Sequence, residues 1–277
     1  CARTADSPAS PETSWNTPVE PLWSNPIGAD LGNIGAATAW ALAEGDAEGA
    51  LRMAAGVDAF WIFSSPSAAV RQAWLEAALA LPWAPSSVVG IRAKAKACHV
   101  GGLRMWPSDP AAAQRLILQG LVLFRNIGDE AGAAACIRDH GSASITAGDP
   151  HTGRREAAEA LVRCQACGDA QGVAWCYYVL GAAAFALGDY TEASSHFLES
   201  ANQFESLDSP FGACHAQASL GLALRHEGKL SASLNAYRAA MRYQRDYRFT
   251  TESADMLDGL ASIAAGLGHF DLAARLC

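Results

Sequence analysis

The stretch VLGAAAFALGDYTEASSHF, residues 179–197, decides the fold of this chain. It consists almost wholly of good helix formers, yet the pair Gly188-Asp189 interrupts it in the middle. Glycine readily adopts the left-handed conformation that ends a helix, and an aspartate after it can cap the start of the next helix. The stretch therefore predicts two short helices joined by a tight turn.

The same interruption recurs with a spacing of about 40 residues. Its members are Ser108-Asp109, Gly148-Asp149, Gly188-Asp189, Gly228-Lys229 and Gly268-His269. A second series lies about midway between them, at Gly128-Asp129, Gly168-Asp169, Asp208-Ser209-Pro210 and Asp246-Tyr247. Two turn signals in each repeat divide it into two helices. Between the turns apolar residues recur at helical spacing and strand-like alternation is absent, so the chain is predicted to be all-α.

Residues 177–201 resemble the tetratricopeptide repeat consensus. The positions that match its spacing are Tyr177, Leu180, Gly181, Gly188, Tyr190, Ala193 and Phe197. The period is about 40 residues, against roughly 34 in that family. The resemblance implies a right-handed α-α superhelix, a tetratricopeptide-like solenoid with long repeats, over residues 88–277. The last repeat is expected to be truncated.

The first part of the chain is less regular. Residues 1–27 contain five prolines and many Ser, Thr and Asn residues, which predicts an irregular Pro-rich arm or linker. Residues 28–87 predict degenerate helical repeats.

A second resemblance rests on NIGAATAWALAEGDAEGALRMAAGVDAFW, residues 33–61, and WLEAALALP, residues 74–82. These segments are similar to the start of the helical-repeat region in large actinobacterial-type regulators of the LuxR family, which also carry a signal-transduction ATPase. The resemblance implies the sensing part of a cytoplasmic transcriptional regulator. The chain has no G-x-x-x-x-G-K-[ST] loop and no basic helix-turn-helix, so we expect a fragment without the ATPase and DNA-binding domains.

Charge and composition narrow the possible partners. The formal net charge of −8 repels a phosphate backbone, so direct binding of nucleic acid by this segment is not expected. No apolar run is long enough for a membrane span, and no secretory signal is visible. The eight cysteines suit reduced thiols in the cytoplasm, because a chain of this length needs no disulfides for stability.

No catalytic or metal-binding motif stands out. Cys164-x-x-Cys167 has ligand spacing but no second pair to complete a zinc site, so two small residues near a helix end are the preferred interpretation. Asp139, His140 and Ser142 are close in sequence, but neighbouring helix positions point in different directions. We therefore predict no enzyme activity, no cofactor and no metal.

What remains is a binding surface on the first helix of each repeat, which lines the inner groove of such a solenoid. Counted from the Leu-Gly landmark, the expected groove residues are Met105, Trp106, Arg138, Ser142, Trp175, Tyr178, His215, Arg225, His226, Asp255 and Asp258, and the same register adds Cys98, Thr146 and Phe185. Aromatic and arginine side chains dominate binding hot spots, although Met105, Trp175 and Phe185 could equally fill the core between pairs.

These residues favour a binding or scaffold domain that holds a protein, a peptide or a small effector in the concave groove. Two alternatives stay open. One is a purely structural solenoid that self-associates into homo-oligomers, and the other is a cryptic hydrolase or metal protein.

Overall fold

A computed structural model describes residues 20–56, 68–106, 109–247, 253–266, 268 and 271. Within these ranges every regular element is an α-helix, which confirms the all-α prediction. The helices are α1 (Glu20–Ala43), α2 (Ala47–Gly56), α3 (Ala68–Ala80), α4 (Val88–Met105), α5 (Pro110–Asn126), α6 (Glu130–Thr146), α7 (Pro150–Cys167), α8 (Ala170–Ala186), α9 (Tyr190–Ser206), α10 (Pro210–His226), α11 (Leu230–Tyr247) and α12 (Ser253–Gly266).

The turns have the predicted chemistry. Gly188 has φ 82°, and its N–H donates to the carbonyl of Phe185 at 3.0 Å. Asp189 donates its N–H back to Ala184 at 3.0 Å and accepts the N–H of Glu192 at 2.9 Å with its carboxylate. These bonds satisfy the last carbonyls of one helix and a free amide of the next. Left-handed residues recur every 20 positions, at Gly128, Gly148, Gly168, Gly188, Asp208 and Gly228.

One predicted break is wrong. The helix α11 continues through Asp246 and Tyr247, where the sequence analysis places a turn. Neither residue favours the left-handed conformation as glycine does. Residues 248–252, which follow α11, lie outside the described residues.

The N-terminal prediction also needs a correction. The helix α1 begins at Glu20, so residues 20–27 are helical and not part of an irregular arm. Pro21 lies in the first turn, where a helix needs no N–H, and Pro26 lacks only the bond to the carbonyl of Leu22. Residues 1–19 lie outside the described part of the chain.

Each helix packs on its neighbours in the chain, as a solenoid requires. The strongest contacts join α4 to α5, α6 to α7, α8 to α9 and α10 to α11, which define four pairs. The first helices of consecutive pairs also touch, from α4 through α6, α8 and α10 to α12. The second helices α5, α7, α9 and α11 approach each other less closely, so the stack curves towards the first helices and these line its inner face.

Glycines permit the close approach of helices. A Cβ on Gly181 would lie 2.8 Å from the ring of Phe197 in the same pair. Gly212 of α10 meets the ring of Phe204, which belongs to the preceding pair. One ring therefore covers a glycine within a pair and another covers a glycine between pairs. None of the helices in the described ranges combines the length and the apolar character needed to cross a membrane.

The turn at Asp208 offers a test of the left-handed positions. Its φ of 49° is unfavourable for a residue with a side chain, so Asp208→Gly should raise the free energy of unfolding by about 0.5–1 kcal/mol. Gly188→Ala should lower it by about 1 kcal/mol, although no atom lies within 4 Å of the added Cβ. Urea denaturation measures both changes. A lower stability of Asp208→Gly would contradict the proposed strain.

Candidate functional site

The predicted groove residues lie on or directly after the first helices. Their places are Met105 at the end of α4 and Trp106 just after it, Arg138 and Ser142 on α6, Trp175 and Tyr178 on α8, His215, Arg225 and His226 on α10, and Asp258 on α12. His226 and Asp258 are exposed, and the others are half-buried. The side chain of Asp255 lies outside the described residues. The role of this set in binding stays a prediction.

Three further residues share that register. Thr146 is exposed and Phe185 is half-buried, but Cys98 is buried. The expectation that Cys98 faces the groove is therefore wrong, because neighbouring helices cover its thiol. Burial raises the pKa of Cys98 to about 11, against a smaller lowering by the charge of Lys94.

Trp175 is the centre of a ring cluster that joins the pair α8–α9 to α10. Its ring lies 4.8 Å from Phe204, edge to face, and 5.6 Å from Tyr178. His215 and Phe211 of α10 lie 6.0 and 6.3 Å away. Edge-to-face pairs of this kind stabilise an interface beyond the area that they bury. Trp175 thus packs between pairs, which the sequence analysis left open as an alternative.

A second ring group lies at the other end of α8. The imidazole of His226 stacks on Tyr190 with ring centres 4.6 Å apart and meets the edge of Phe185 at 5.1 Å. The preceding residue, Arg225, has a buried Nε without a hydrogen-bond partner in the described part of the chain. Arg225 as a whole is half-buried, and an arginine guanidinium can pair with a carboxylate or a carbonyl oxygen.

A charged network connects the inner faces of α4 and α6. Arg138 donates from Nε and Nη2 to the two oxygens of Asp139, at 2.7 and 2.8 Å. Nε2 of His99 lies 2.7 Å from Oδ2 of the same carboxylate. Burial by itself would raise the pKa of Asp139, but the Arg138 charge and the hydrogen bonds from His99 and Arg138 outweigh it and hold the pKa well below 3.8.

The DHGSAS stretch does not form a catalytic group. Asp139 faces α4 and binds His99, whereas His140 points to the partner helix α7, where its Nδ1 lies 2.7 Å from Glu156 Oε2. Adjacent helix positions diverge by about 100°, as the sequence analysis assumed. The two side chains therefore bind separate neighbours.

Cys164 and Cys167, which are close in sequence, lie in different environments. Cys164 is buried in a core cluster that contains Cys136 and Cys176, whereas Cys167 is exposed. Among the described residues no three metal-ligating side chains come together. Cys164 therefore acts as a small apolar core residue.

Sequence reasoning missed several of these contacts. It considered Arg138 and Asp139 separately and missed both their ion pair and the contact of Asp139 with His99, although His99 and Asp139 are 40 residues apart and so occupy equivalent helix positions. It also missed the stack of Tyr190 on His226. The repeat register was the signal that could have found the first contact.

Comparisons with known proteins agree with this architecture. No protein-family model matches the chain, and no curated protein matches it. Solved structures do match in fold.

Three of these structures are informative. NprR in complex with its cognate peptide NprX has a TM-score of 0.61 at 15% identity, over 83% of this chain and 65% of that one. A Signal Transduction ATPase with Numerous Domains (STAND) protein with a tetratricopeptide repeat sensor, from Pyrococcus horikoshii, has a TM-score of 0.57 at 14% identity, over 82% of this chain and 35% of that one. Aspartyl phosphate phosphatase F from Bacillus subtilis has a TM-score of 0.57 at 12% identity, over 69% of this chain and 50% of that one.

The fold is a tetratricopeptide-like helical solenoid. The chain spans from about a third to about two thirds of the length of these three proteins. Identities this low show the fold alone. The solenoid predicted from the repeats is confirmed.

The role of the buried Asp139 carboxylate can be tested by mutation and by a change of pH. Asp139→Asn should lower the free energy of unfolding by about 2–4 kcal/mol near pH 7, because it leaves Arg138 buried without its counter-charge. The pKa of Asp139 is lower in the folded than in the unfolded chain. Its contribution is therefore complete above the unfolded value of 3.8 and declines as the pH falls below it.

Urea denaturation at pH 5 and pH 3 measures the decline. The difference between wild type and Asp139→Asn should be about 1 kcal/mol smaller at pH 3. The control is Asp149→Asn, at an exposed helix cap where asparagine caps as well as aspartate, and its cost should stay within about 0.5 kcal/mol at pH 5. A pH-independent difference for Asp139→Asn would contradict the assigned network.

Proposed function

We propose that this chain is a non-catalytic binding domain that holds an extended peptide on the inner face of its solenoid. One observation carries the proposal. The first helices touch from pair to pair, and they carry arginine and aromatic residues that are half-buried or exposed. Arg138, Tyr178, Phe185, Arg225 and His226 belong to this surface. A continuous row of such residues suits a ligand that crosses several repeats.

The chemistry of the row indicates how a peptide would bind. The guanidinium of the half-buried Arg225 would pair with a carboxylate or a backbone carbonyl through its terminal N–H groups. The rings of Phe185 and His226 would hold an apolar side chain next to it. The Tyr178 hydroxyl accepts a hydrogen bond from Ser219 Oγ at 3.3 Å, which holds its ring between α8 and α10.

The regulatory context has separate support. NprR contains a bound cognate peptide, and the STAND protein carries its tetratricopeptide repeats as a sensor. The resemblance of residues 33–82 to LuxR-family regulators points in the same direction. We propose that the chain senses an effector for a cytoplasmic transcriptional regulator and does not itself bind nucleic acid, in line with its net charge of −8.

The proposal includes no chemical step. Asp139 and His140 are occupied by separate partners, and burial raises the pKa of the Cys98 thiol, which suits packing more than reactivity. The regulator would act through binding and the resulting shift in conformation.

Selection from a library of random linear peptides, displayed on phage and panned against the purified chain, tests the proposal. The selected peptide is synthesised with a fluorescent label, and its affinity is measured by anisotropy. Arg225→Ala combined with His226→Ala should weaken binding at least about tenfold, because it removes an arginine anchor and a stacked ring. Arg138 is left in place, since its replacement would unpair the buried Asp139.

The matched control is Arg115→Ala, at an exposed arginine on the second helix α5. Its affinity should equal that of wild type. Circular dichroism should show unchanged helicity in all variants. Peptides that bind the double variant as tightly as wild type would contradict the inner face as the site.

A further inference from the structure

The second helices form the outer side of the solenoid, which is a surface separate from the inner face. Because the second helices spread apart on that side, a seam lies between each consecutive two of them. The 40-residue register makes the seams comparable, position by position. Three positions recur in this register on the second helices: Thr152, Glu156 and Glu159 on α7, Glu192, His196 and Glu199 on α9, and Ala232, Ala236 and Ala239 on α11. The three alanines line a cleft between α9 and α11.

Long polar side chains bridge the first two seams. Between α5 and α7, Arg125 lies 4.0 Å from Glu159. Between α7 and α9, Arg154 donates to Glu192 at 2.6 Å. These bridges cross the seams and cover the core beneath them.

In the described part of the chain no ion pair joins α9 to α11. A hydrogen bond from the Tyr243 hydroxyl to Glu205 at 3.3 Å crosses this seam, but it lies near the C-terminal ends of the two helices, beyond the alanine positions. Ala232, Ala236 and Ala239 take the places of the three long polar residues of α9, and a cleft of about 670 Å³ opens there. Its floor and wall include Leu220, Leu224 and Leu198, and Leu198 is 47% exposed. We call this cleft the α9–α11 groove.

A row of cations lies on the same helix as the alanines. Arg238, Arg242 and Arg245 are spaced four and three residues apart on the exposed side of α11, and all three are exposed. Arg245 pairs with its neighbour Asp246 at 2.7 Å, whereas Arg238 and Arg242 form no ion pair within the described ranges. Asp246 is the sole acidic residue in residues 230–247. This basic row stands out in a chain whose net charge is −8.

We propose that the α9–α11 groove and the basic row together bind an acidic amphipathic helix of a partner protein. Aliphatic side chains of that helix fill the space above Ala232, Ala236 and Ala239. Its carboxylates pair with Arg238 and Arg242, which supply the charge complementarity. This surface is separate from the inner face and does not rest on the proposed peptide site.

The shape of the groove selects a helix over an extended segment. The walls are α-helices whose backbone groups are bonded internally, so they offer no backbone partners to a strand. A helix satisfies its own backbone and needs only side-chain packing from an apolar groove. Its acidic flank would also be repelled by the rest of this acidic chain, which restricts binding to the basic row.

Two synthetic peptides of about 18 residues test the proposal. Both carry the same leucine stripe at helical spacing; glutamates flank it in one and lysines in the other. Fluorescence anisotropy with the full chain should show at least about tenfold tighter binding of the glutamate peptide. Arg238→Glu combined with Arg242→Glu should reverse this preference, because both sites are exposed and their replacement leaves the fold intact.

A second variant closes the groove without disturbing the basic row. Ala232→Glu and Ala239→Glu together copy the residues that α9 carries at the same positions, and Ala236, which is buried in the core, is left in place. The glutamate peptide should then bind at least about tenfold more weakly. The Arg225→Ala, His226→Ala variant of the inner face should bind it as wild type does.

Three results would overturn the proposal. The first is equal affinity for the two peptides, and the second is unchanged binding by the groove-closing variant. The third is sedimentation velocity in which the wild type associates with rising concentration and the groove-closing variant does not. That third result would assign the groove to a second copy of this chain.

Discussion

A left-handed residue closes each turn from residue 128 to residue 228, and the rest of the structure depends on it. An aspartate caps the next helix at Asp129, Asp149, Asp169 and Asp189, whereas Ser209 makes no side-chain cap bond. Because the left-handed residue returns every 20 positions, the helices from α5 to α11 are 17 or 18 residues long. Equal lengths keep the repeats in register, so that the same two faces meet in every pair. A longer or shorter helix would shift the glycine that receives the ring of Phe197 or Phe204.

Because the repeats are in register, residues about 40 positions apart in the chain come into contact. His99 meets Asp139 at a separation of 40 residues, Tyr178 meets Ser219 at 41, and Arg154 meets Glu192 at 38. Equivalent positions can hold different chemistry, because the backbone is already held by the turns and by alanine-rich packing. The same repeat position is occupied by His99 in α4, by the buried Asp139 in α6 and by Val179 in α8. The scaffold is thus uniform, while its surface changes from repeat to repeat.

Curvature separates two surfaces with different properties. On the inner side the first helices touch from pair to pair. On the outer side the second helices spread apart, and each seam is either bridged by long polar residues or left open by small ones. Ion pairs exposed to this degree contribute little stability, so their main effect is to occupy the seam. Where alanines replace them, the same backbone leaves an apolar groove.

The sequence by itself determined the helices, the turns and the stacking order. Glycine and aspartate act through local backbone geometry, which needs no distant partner, and helical periodicity reports burial directly. It also assigned the groove residues to the first helices, since that assignment requires only counting. It went wrong at Asp246-Tyr247 and at Glu20, where no glycine marked the helix boundary.

Only the tertiary structure decided which side chains meet and which remain available. Trp175 and Arg225 were both predicted to line the groove. In the structure Trp175 packs against Phe204, whereas Nε of Arg225 has no hydrogen-bond partner among the described residues. Cys98 fell in the register of the groove but is covered by neighbouring helices. The difference between bridged and open seams likewise needed the spacing of α9 and α11. The physical reason is that these outcomes depend on contacts between different helices, and a local pattern reports only the face on which a residue lies.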